Sequence, residues 1–244
     1  MARPAFLRRF KNDYASGQHV TLLGPTQRGK TTLAFQMLRE VISPERKTTV
    51  LAGKPPGRDP VMAKAAAQLN LRIVEEWPPI RTPKDRKRNG FIIRPAQSMR
   101  DHEADEANLK SQFRAAMIDA YASTKPIILF VDEAYHIYHD LGLKREYEAP
   151  LVRGAPICAE WSLIQRGRYM SYHAYSAPEH VLIFKDPDET NVKRYSEMVG
   201  GVNPRFIADI VNSLRTYRVG TGGTISEALY IRRSGPEIYV VDVK

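Results

Sequence analysis

Residues 24–31 combine the residue types that bind a phosphate chain. They read Gly-Pro-Thr-Gln-Arg-Gly-Lys-Thr, and the two glycines, Gly24 and Gly29, let the backbone curl so that several N–H groups point at phosphate oxygens. Lys30 can reach the β- and γ-phosphates as a mobile positive charge, and the Thr31 hydroxyl can ligate Mg²⁺. This spacing predicts a nucleotide site, and we expect ATP and Mg²⁺ as its ligands.

We call residues 24–31 the P-loop and treat each of them as a candidate contact to the nucleotide. The residue after the loop is included, because the N-terminus of the following helix adds the positive end of its dipole to the site. The predicted nucleotide-binding residues are Gly24, Pro25, Thr26, Gln27, Arg28, Gly29, Lys30, Thr31 and Thr32.

An acidic pair follows an apolar run farther along the chain. Residues 127–131 are continuously apolar, which predicts a strand buried on both faces, and Asp132 and Glu133 come directly after it. Because parallel strands end at one edge of a sheet, we expect Asp132 beside the P-loop, where it would hold Mg²⁺ together with Thr31. Glu133 is then placed to orient and deprotonate an attacking water. The two motifs together predict ATP hydrolysis.

The remaining pattern supplies the elements that must position these side chains. Helical periodicity predicts helices over 31–41, 59–69, 101–121, 189–199 and 204–214. Apolar runs predict strands over 19–23, 48–52, 72–76, 91–94, 127–131, 161–164 and 180–184, and alternation predicts more over 217–219, 229–232 and 238–243. Strands that alternate with helices predict a mostly parallel sheet covered on both faces.

These elements predict a three-layer α/β fold of the P-loop NTPase type, in its ASCE, RecA-like branch, with a β-rich C-terminal edge. We expect one domain over residues 1–244, with a core from about 18 to 215 and C-terminal strands over 216–244. The long segment between the two motifs leaves room for an extra strand between the strands that carry them. That arrangement fits the branch that uses a catalytic glutamate.

Charge and composition limit the kinds of partner and the cellular location that we expect. The chain has 37 Lys and Arg against 27 Asp and Glu, a net charge of +10 that favours a polyanionic partner. Cys158 is the one cysteine, so an intrachain disulfide and a thiolate metal cage are excluded. No apolar run approaches the ~18 residues of a membrane span, and residues 1–9 lack the apolar core of a signal peptide. We therefore expect a protein of the cytoplasm.

The segment after residue 160 carries a family resemblance. It reads Trp-Ser-Leu-Ile-Gln-Arg-Gly-Arg-Tyr over 161–169, then His-Val-Leu-Ile-Phe-Lys-Asp-Pro-Asp over 180–188 and Val-Lys-Arg-Tyr over 192–195. Together with the P-loop and the acidic pair, this pattern resembles the FtsK/HerA superfamily of ring ATPases over about residues 18–215. That superfamily includes DNA translocases, conjugation ATPases and viral genome-packaging ATPases.

The resemblance implies roles for further residues. Gln165 corresponds to the polar sensor of the γ-phosphate, and an arginine from one subunit completes the site of its neighbour. Arg153, Arg166 and Arg168 are the candidates for that arginine, and the sequence leaves the choice among them open. Gly167 stands where relatives often have proline.

The resemblance also implies partners. We expect a homo-oligomeric ring of five or six subunits that holds double-stranded DNA through its backbone, with a capsid portal or secretion channel as a docking partner. The chain has no room for the extra domains of larger superfamily members, which favours a viral packaging ATPase or a small mobile-element translocase, in the host cytoplasm or the virion. Lys54, Arg81 and residues 84–88 are candidate DNA contacts, and a solvated loop is the alternative.

Two other functions stay open at this point. A P-loop phosphotransferase would use the same loop, although it usually lacks a glutamate directly after the strand aspartate. A nucleotide-gated assembly ATPase that does not act on DNA is the second alternative, and a missing Lys30, Thr31 or Glu133 would mark one that hydrolyses slowly. A GTPase is disfavoured because the sequence has no Asn-Lys-x-Asp motif.

Overall fold

The structure is a computed structural model that describes residues 1–55, 60–154, 156–198, 202–219, 223–235 and 237–243. The predicted helix start at Asp59 and helix end at Val199 lie outside these ranges. The described helices are α1 Arg3–Asp13, α2 Lys30–Val41, α3 Pro60–Gln68, α4 His102–Tyr121, α5 Lys144–Arg153, α6 His173–Ser176, α7 Glu189–Met198 and α8 Pro204–Ser213. The described strands are β1 Val20–Leu23, β2 Lys47–Leu51, β3 Leu71–Val74, β4 Gly90–Ile93, β5 Ile127–Val131, β6 Cys158–Ile164, β7 His180–Phe184, β8 Thr216–Val219, β9 Gly223–Arg232 and β10 Glu237–Asp242.

The strands form a single mixed sheet. Its order is β10-β9-β7-β1-β6-β5-β2-β4-β3, and β8 pairs with β9. All neighbours from β7 to β3 are parallel, whereas β8, β9 and β10 pair antiparallel at the C-terminal edge. This confirms the predicted mostly parallel sheet and its β-rich C-terminal edge.

Both faces of the sheet are covered, which gives the three predicted layers. Side chains alternate between faces along a strand, so Leu22 packs in the cluster under α1, α2 and α3 while Leu23 packs in the opposite cluster. The second cluster includes Phe113 of α4, Tyr147 of α5 and Ile207 of α8. Continuous apolar runs such as β5 follow from this double burial.

The strand between the two motif-bearing strands comes from a different segment than expected. Strand β6 separates β1 from β5, with Leu23 opposite Ile164 in the register of β1 and β6. It follows the acidic pair in sequence, whereas the segment between the motifs supplies β2, β4 and β3 on the far side of β5. The extra strand is therefore present, but the segment predicted to provide it lies elsewhere in the sheet.

Three described helices were missed by the sequence pattern: the four-residue α6 and the longer α1 and α5. Helix α1 lies in a basic N-terminal segment, yet it buries Phe6 and Phe10, whose rings contact Tyr230 and Trp161 at centroid distances of 4.9 and 5.7 Å. Helix α5 contains Pro150, a residue that reads as a helix breaker in sequence. Helix α5 also contacts another part of the chain, because the buried Tyr147 hydroxyl donates to Ser162 Oγ of β6 at 2.9 Å. In α1 and α5, contacts with other elements outweigh the local signal.

The basic run predicted as a loop contains a short 3₁₀ turn over Pro83–Lys87. Its centre is the buried Asp85, which accepts a 2.7 Å hydrogen bond from the Thr82 N–H and forms ion pairs with Arg72 at 2.9 Å and Arg88 at 3.4 Å. Arg88 is thus partly engaged in holding the turn. The other basic side chains of this run are exposed: Lys84, Arg86 and Lys87.

No helix in the described ranges is both long enough and apolar enough to cross a membrane.

Gly90 sets the close approach of β4 to β2, which gives a test of the sheet. Its φ is +142°, and a Cβ added there would lie 1.8 Å from the Thr48 carbonyl oxygen. We expect Gly90→Ala to lower the free energy of unfolding by about 3 kcal/mol or more, measured by urea denaturation. Gly235→Ala is the matched control, because nothing lies within 4 Å of the added carbon. Equal stabilities of the two variants would contradict this account of the β2–β4 contact.

Candidate nucleotide site

The P-loop follows β1 and is packed between the ends of β6 and β7, the strands on either side of β1. Gly24 donates its N–H to the carbonyl of Ile164 on β6 at 3.1 Å, and a Cβ on Gly24 would lie 2.8 Å from the Cβ of Phe184 on β7. The backbone then passes through left-handed conformations at Gln27 (φ 61°) and Gly29 (φ 91°) before α2 begins. Left-handed turns before a helix N-terminus are the backbone conformation with which such loops gather N–H groups around an anion.

Lys30 is the buried cation of this site. Its ammonium group donates to the carbonyls of Gly24 and Pro25, both at 2.6 Å. Burial lowers the pKa of Lys30 to about 8, while the negative charges of Asp132 and Asp186 act in the opposite direction. Lys30 is therefore charged at neutral pH, and a phosphate group would compensate a charge that the fold holds out of water.

Thr31 and Asp132 meet at the foot of the loop. The Thr31 hydroxyl donates to Oδ1 of Asp132 at 3.3 Å, and Asp132 is buried at the end of β5. A hydroxyl and a carboxylate are hard oxygen ligands of the kind that Mg²⁺ takes, with phosphate and water oxygens completing its coordination. Within the described part of the chain, no three His, Cys, Asp or Glu side chains could hold a metal alone. The donor set fits Mg²⁺ that arrives with a nucleotide.

Glu133 lies beside Asp132 but faces a different partner. Its backbone is left-handed, with φ of 58°, and its Oε1 lies 3.1 Å from Nζ of Lys54. Lys54 follows β2, the strand next to β5. A residue considered as a DNA contact from sequence therefore contacts the predicted catalytic glutamate instead.

The other predicted catalytic residues are Gln165 and the three candidate arginines. The structure brings some of them, but not all, to the edge of the sheet that carries the P-loop. Gln165 directly follows β6 and so lies between the P-loop and Asp132. Arg166 is exposed at the same edge and stacks over the Tyr135 ring at 5.4 Å. Arg153 ends α5 shortly before β6 begins, which places it at the opposite edge, about 20 Å away along the strand. The side chain of Arg168 lies outside what the structure describes.

Asp186 is a site residue that sequence reasoning missed. It follows β7, is buried, and accepts hydrogen bonds from the Tyr195 hydroxyl at 3.1 Å and from Asn191 at 3.2 Å. Its charge acts on Lys30 and raises the pKa of that lysine. Its place directly after a predicted buried strand, at the edge that carries the P-loop, was the available signal.

The C-terminal strands support the loop from the outside. The Ser226 hydroxyl of β9 donates to the Arg28 carbonyl, and Val243 lies so close that a Cβ on Gly29 would come within 3.1 Å of its side chain. The strands predicted as an edge thus contact the P-loop directly.

Solved structures align with most of the chain at low identity. B204, the DNA-packaging ATPase of Sulfolobus turreted icosahedral virus, aligns over 93% of this chain and 98% of its own, with 14% identity and a TM-score of 0.59. The genome-packaging NTPase B204 of Sulfolobus turreted icosahedral virus 2, in complex with sulfate, aligns over 92% and 95%, with 13% identity and a TM-score of 0.59. The fold is that of a P-loop NTPase.

A third structure extends the likeness to a multidomain protein. EssC (ATPases 2 and 3) from Geobacillus thermodenitrificans aligns over 93% of this chain and 40% of its own, with 9% identity and a TM-score of 0.50. These likenesses agree with the fold that the predicted resemblance implies, which is that of a P-loop NTPase. No family model and no curated protein matches the sequence.

The lowered pKa of Lys30 predicts how nucleotide affinity depends on pH. A polyanion binds the protonated lysine better, and burial lowers the pKa of Lys30 to about 8 in the free protein. We expect the affinity for ATP to hold up to about pH 8 and then to fall by up to about tenfold per pH unit. Fluorescence anisotropy of a labelled ATP between pH 7.5 and about 10 would measure this.

Lys30→Ala is the control for this titration. It should bind ATP far more weakly at pH 7.5 and should lose the decline above about pH 8. An affinity that stays level from pH 8 to about 10 in the unsubstituted chain would contradict the assignment of Lys30 to the phosphates.

Proposed function

We propose that this chain is an ATP-hydrolysing motor that acts on double-stranded DNA as a homo-oligomeric ring. The observation that supports it best is the convergence of Lys30, Thr31, Asp132, Glu133 and Gln165 at one edge of the sheet, with β6 between the two motif-bearing strands. This is the arrangement expected of P-loop enzymes that use a catalytic glutamate. A phosphotransferase usually has no glutamate at the position of Glu133.

Each residue has a proposed part in hydrolysis. Lys30 and the P-loop N–H groups hold the β- and γ-phosphates, and Thr31 and Asp132 would hold Mg²⁺, which neutralises charge on the phosphates. Glu133 accepts a proton from the water that attacks the γ-phosphorus, and the bond to the leaving ADP oxygen breaks. Gln165 contacts the γ-phosphate and orients this water.

Arg166 is the proposed arginine that completes the site of a neighbouring subunit. It is exposed at the edge that carries the P-loop, and its stacking on Tyr135 leaves the guanidinium at the surface. Arg153 ends its helix at the opposite edge of the sheet. A ring of five or six subunits would bring one subunit's Arg166 to the next subunit's γ-phosphate.

DNA is the proposed substrate of the motor, on two grounds. The net charge of +10 favours a polyanion, and B204, which shares the fold, is a DNA-packaging ATPase. The exposed Lys84, Arg86 and Lys87 are proposed to contact backbone phosphates. A capsid portal or secretion channel is the proposed docking partner, in the cytoplasm of a host cell or in a virion.

The deciding experiment is steady-state ATP hydrolysis with and without double-stranded DNA across a salt series. We expect DNA to stimulate turnover, and the stimulation to fade as salt rises, because counterions compete for phosphate contacts. Glu133→Gln should bind ATP yet hydrolyse it about 10²–10⁴-fold more slowly. Hydrolysis that depends on Glu133 but does not change when DNA is added would favour a nucleotide-gated assembly ATPase. That result would contradict the proposed DNA motor.

A complementation assay tests the ring. Arg166→Ala keeps its own P-loop, and Lys30→Ala keeps its arginine, so each is expected to be inactive alone. In a ring that uses Arg166 in trans, an equal mixture should recover up to about a quarter of the unsubstituted activity, since about one interface in four joins an intact P-loop to an intact arginine. Arg153→Ala should be active alone. No recovery in mixed oligomers would contradict action of Arg166 in trans.

A further inference from the structure

The ion pair between Lys54 and Glu133 lies inside the proposed catalytic site. Nζ of Lys54 is 3.1 Å from Oε1 of Glu133, and the two side chains are 41% and 25% exposed. Strands β2 and β5 pair in parallel with Leu51 opposite Val131, so both residues emerge from the same edge of the sheet. A half-exposed pair of this kind is weak enough to open on the time scale of a reaction cycle.

The position of the ion pair in the sheet determines the side of β5 on which the Glu133 carboxylate lies. Strand β2 flanks β5 on one side, while β6 and then β1, which leads into the P-loop, flank it on the other. Lys54 therefore holds the Glu133 carboxylate on the β2 side of β5, away from the strand that presents the phosphate site. A general base has to reach the attacking water at hydrogen-bond distance, so this contact opposes the catalytic position.

The Glu133 backbone is fixed, which leaves the side chain as the part that can move. Its φ is 58°, and its carbonyl accepts hydrogen bonds from the N–H groups of His136 at 2.9 Å and Ile137 at 3.3 Å. Rotation of the side chain within this fixed frame is the simplest way for the carboxylate to exchange Lys54 for a water at the phosphate site.

Lys54 itself is held near the site by its neighbours. The Gly53 carbonyl accepts a 2.8 Å hydrogen bond from Gln97, and a Cβ on Gly53 would lie 3.7 Å from the His136 ring. The charge of Lys54 also lowers the pKa of Lys30, so it acts across the nucleotide site. The residue that precedes Lys54 is thus fixed by the contacts of Gly53 with Gln97 and His136, which keeps the ammonium group close to Glu133.

We propose that Lys54 is a positioning residue that holds the Glu133 carboxylate away from the phosphate site, so that opening of this ion pair precedes each hydrolysis event. This inference rests on the proposed ATP hydrolysis, but it does not require DNA. An exposed ion pair biases a two-state equilibrium by up to about fivefold, which sets the size of the effect.

The test is ATP turnover without DNA in Lys54→Ala and Lys54→Arg. We expect Lys54→Ala to raise kcat about two- to fivefold with KM within about twofold, because the restraint on Glu133 is lost while the phosphate contacts remain. Lys54→Arg keeps the positive charge and should restore kcat to the unsubstituted value. Lys110→Ala removes an exposed lysine of α4 and should leave kcat unchanged.

The outcomes separate this inference from the function on which it rests. A kcat in Lys54→Ala that equals or falls below that of the unsubstituted chain would overturn the restraint, while the Glu133-dependent ATPase would stand. Absence of any Lys30-dependent hydrolysis in the unsubstituted chain would overturn both proposals. A failure of DNA to stimulate turnover would bear on the motor alone, because the Lys54 comparison is made without DNA.

Discussion

The site is built around a buried positive charge. The Lys30 ammonium is taken out of water at the start of α2, where burial works against its protonation and two loop carbonyls and the carboxylates of Asp132 and Asp186 support it. Those carbonyls belong to the P-loop itself, so the lysine also fixes the curve of the loop that would hold phosphate. An arriving phosphate chain would supply the compensating charge that the carbonyl dipoles provide only in part, which makes the buried lysine a reason for anion affinity as well as for loop shape.

The sheet supplies the rigidity that this arrangement requires. The loop leaves β1 between β6 and β7, and the approach of Gly24 to Phe184 leaves no room for a side chain. The antiparallel C-terminal strands contact the other end of the loop through Ser226 and Val243. Helix α1 in turn packs on β9 through Phe6 and Tyr230. Elements far apart in sequence therefore pack around the P-loop and together stabilise one conformation of it.

The sequence was informative where a local pattern carries the chemistry and silent where packing decides. The spacing of Gly24, Gly29 and Lys30 predicts the loop because each residue type has a backbone or charge requirement that few others meet. Buried strands such as β5 are recognisable because both faces need apolar side chains. Helices α1 and α5 were missed because they are held by contacts with other elements, the rings of Tyr230 and Trp161 for α1 and the Ser162 hydroxyl for α5. The contact of Lys54 with Glu133 arises because β2 pairs with β5 on the side away from β1. The sequence predicts, wrongly, that the segment between the two motifs places a strand on the opposite side of β5, between β1 and β5.

The two edges of the sheet differ in charge, and that difference bears on how a motor of this fold would couple its sites. The carboxyl edge holds the lysines and carboxylates of the nucleotide site, whereas the exposed Lys84, Arg86 and Lys87 precede β4 at the amino edge. Strand β4 joins the two, since its far end leads to Gln97, which binds the Gly53 carbonyl next to Lys54. If DNA contacts the basic turn as proposed, this strand and this hydrogen bond are a connection, within the described residues, between the DNA and the Lys54–Glu133 pair.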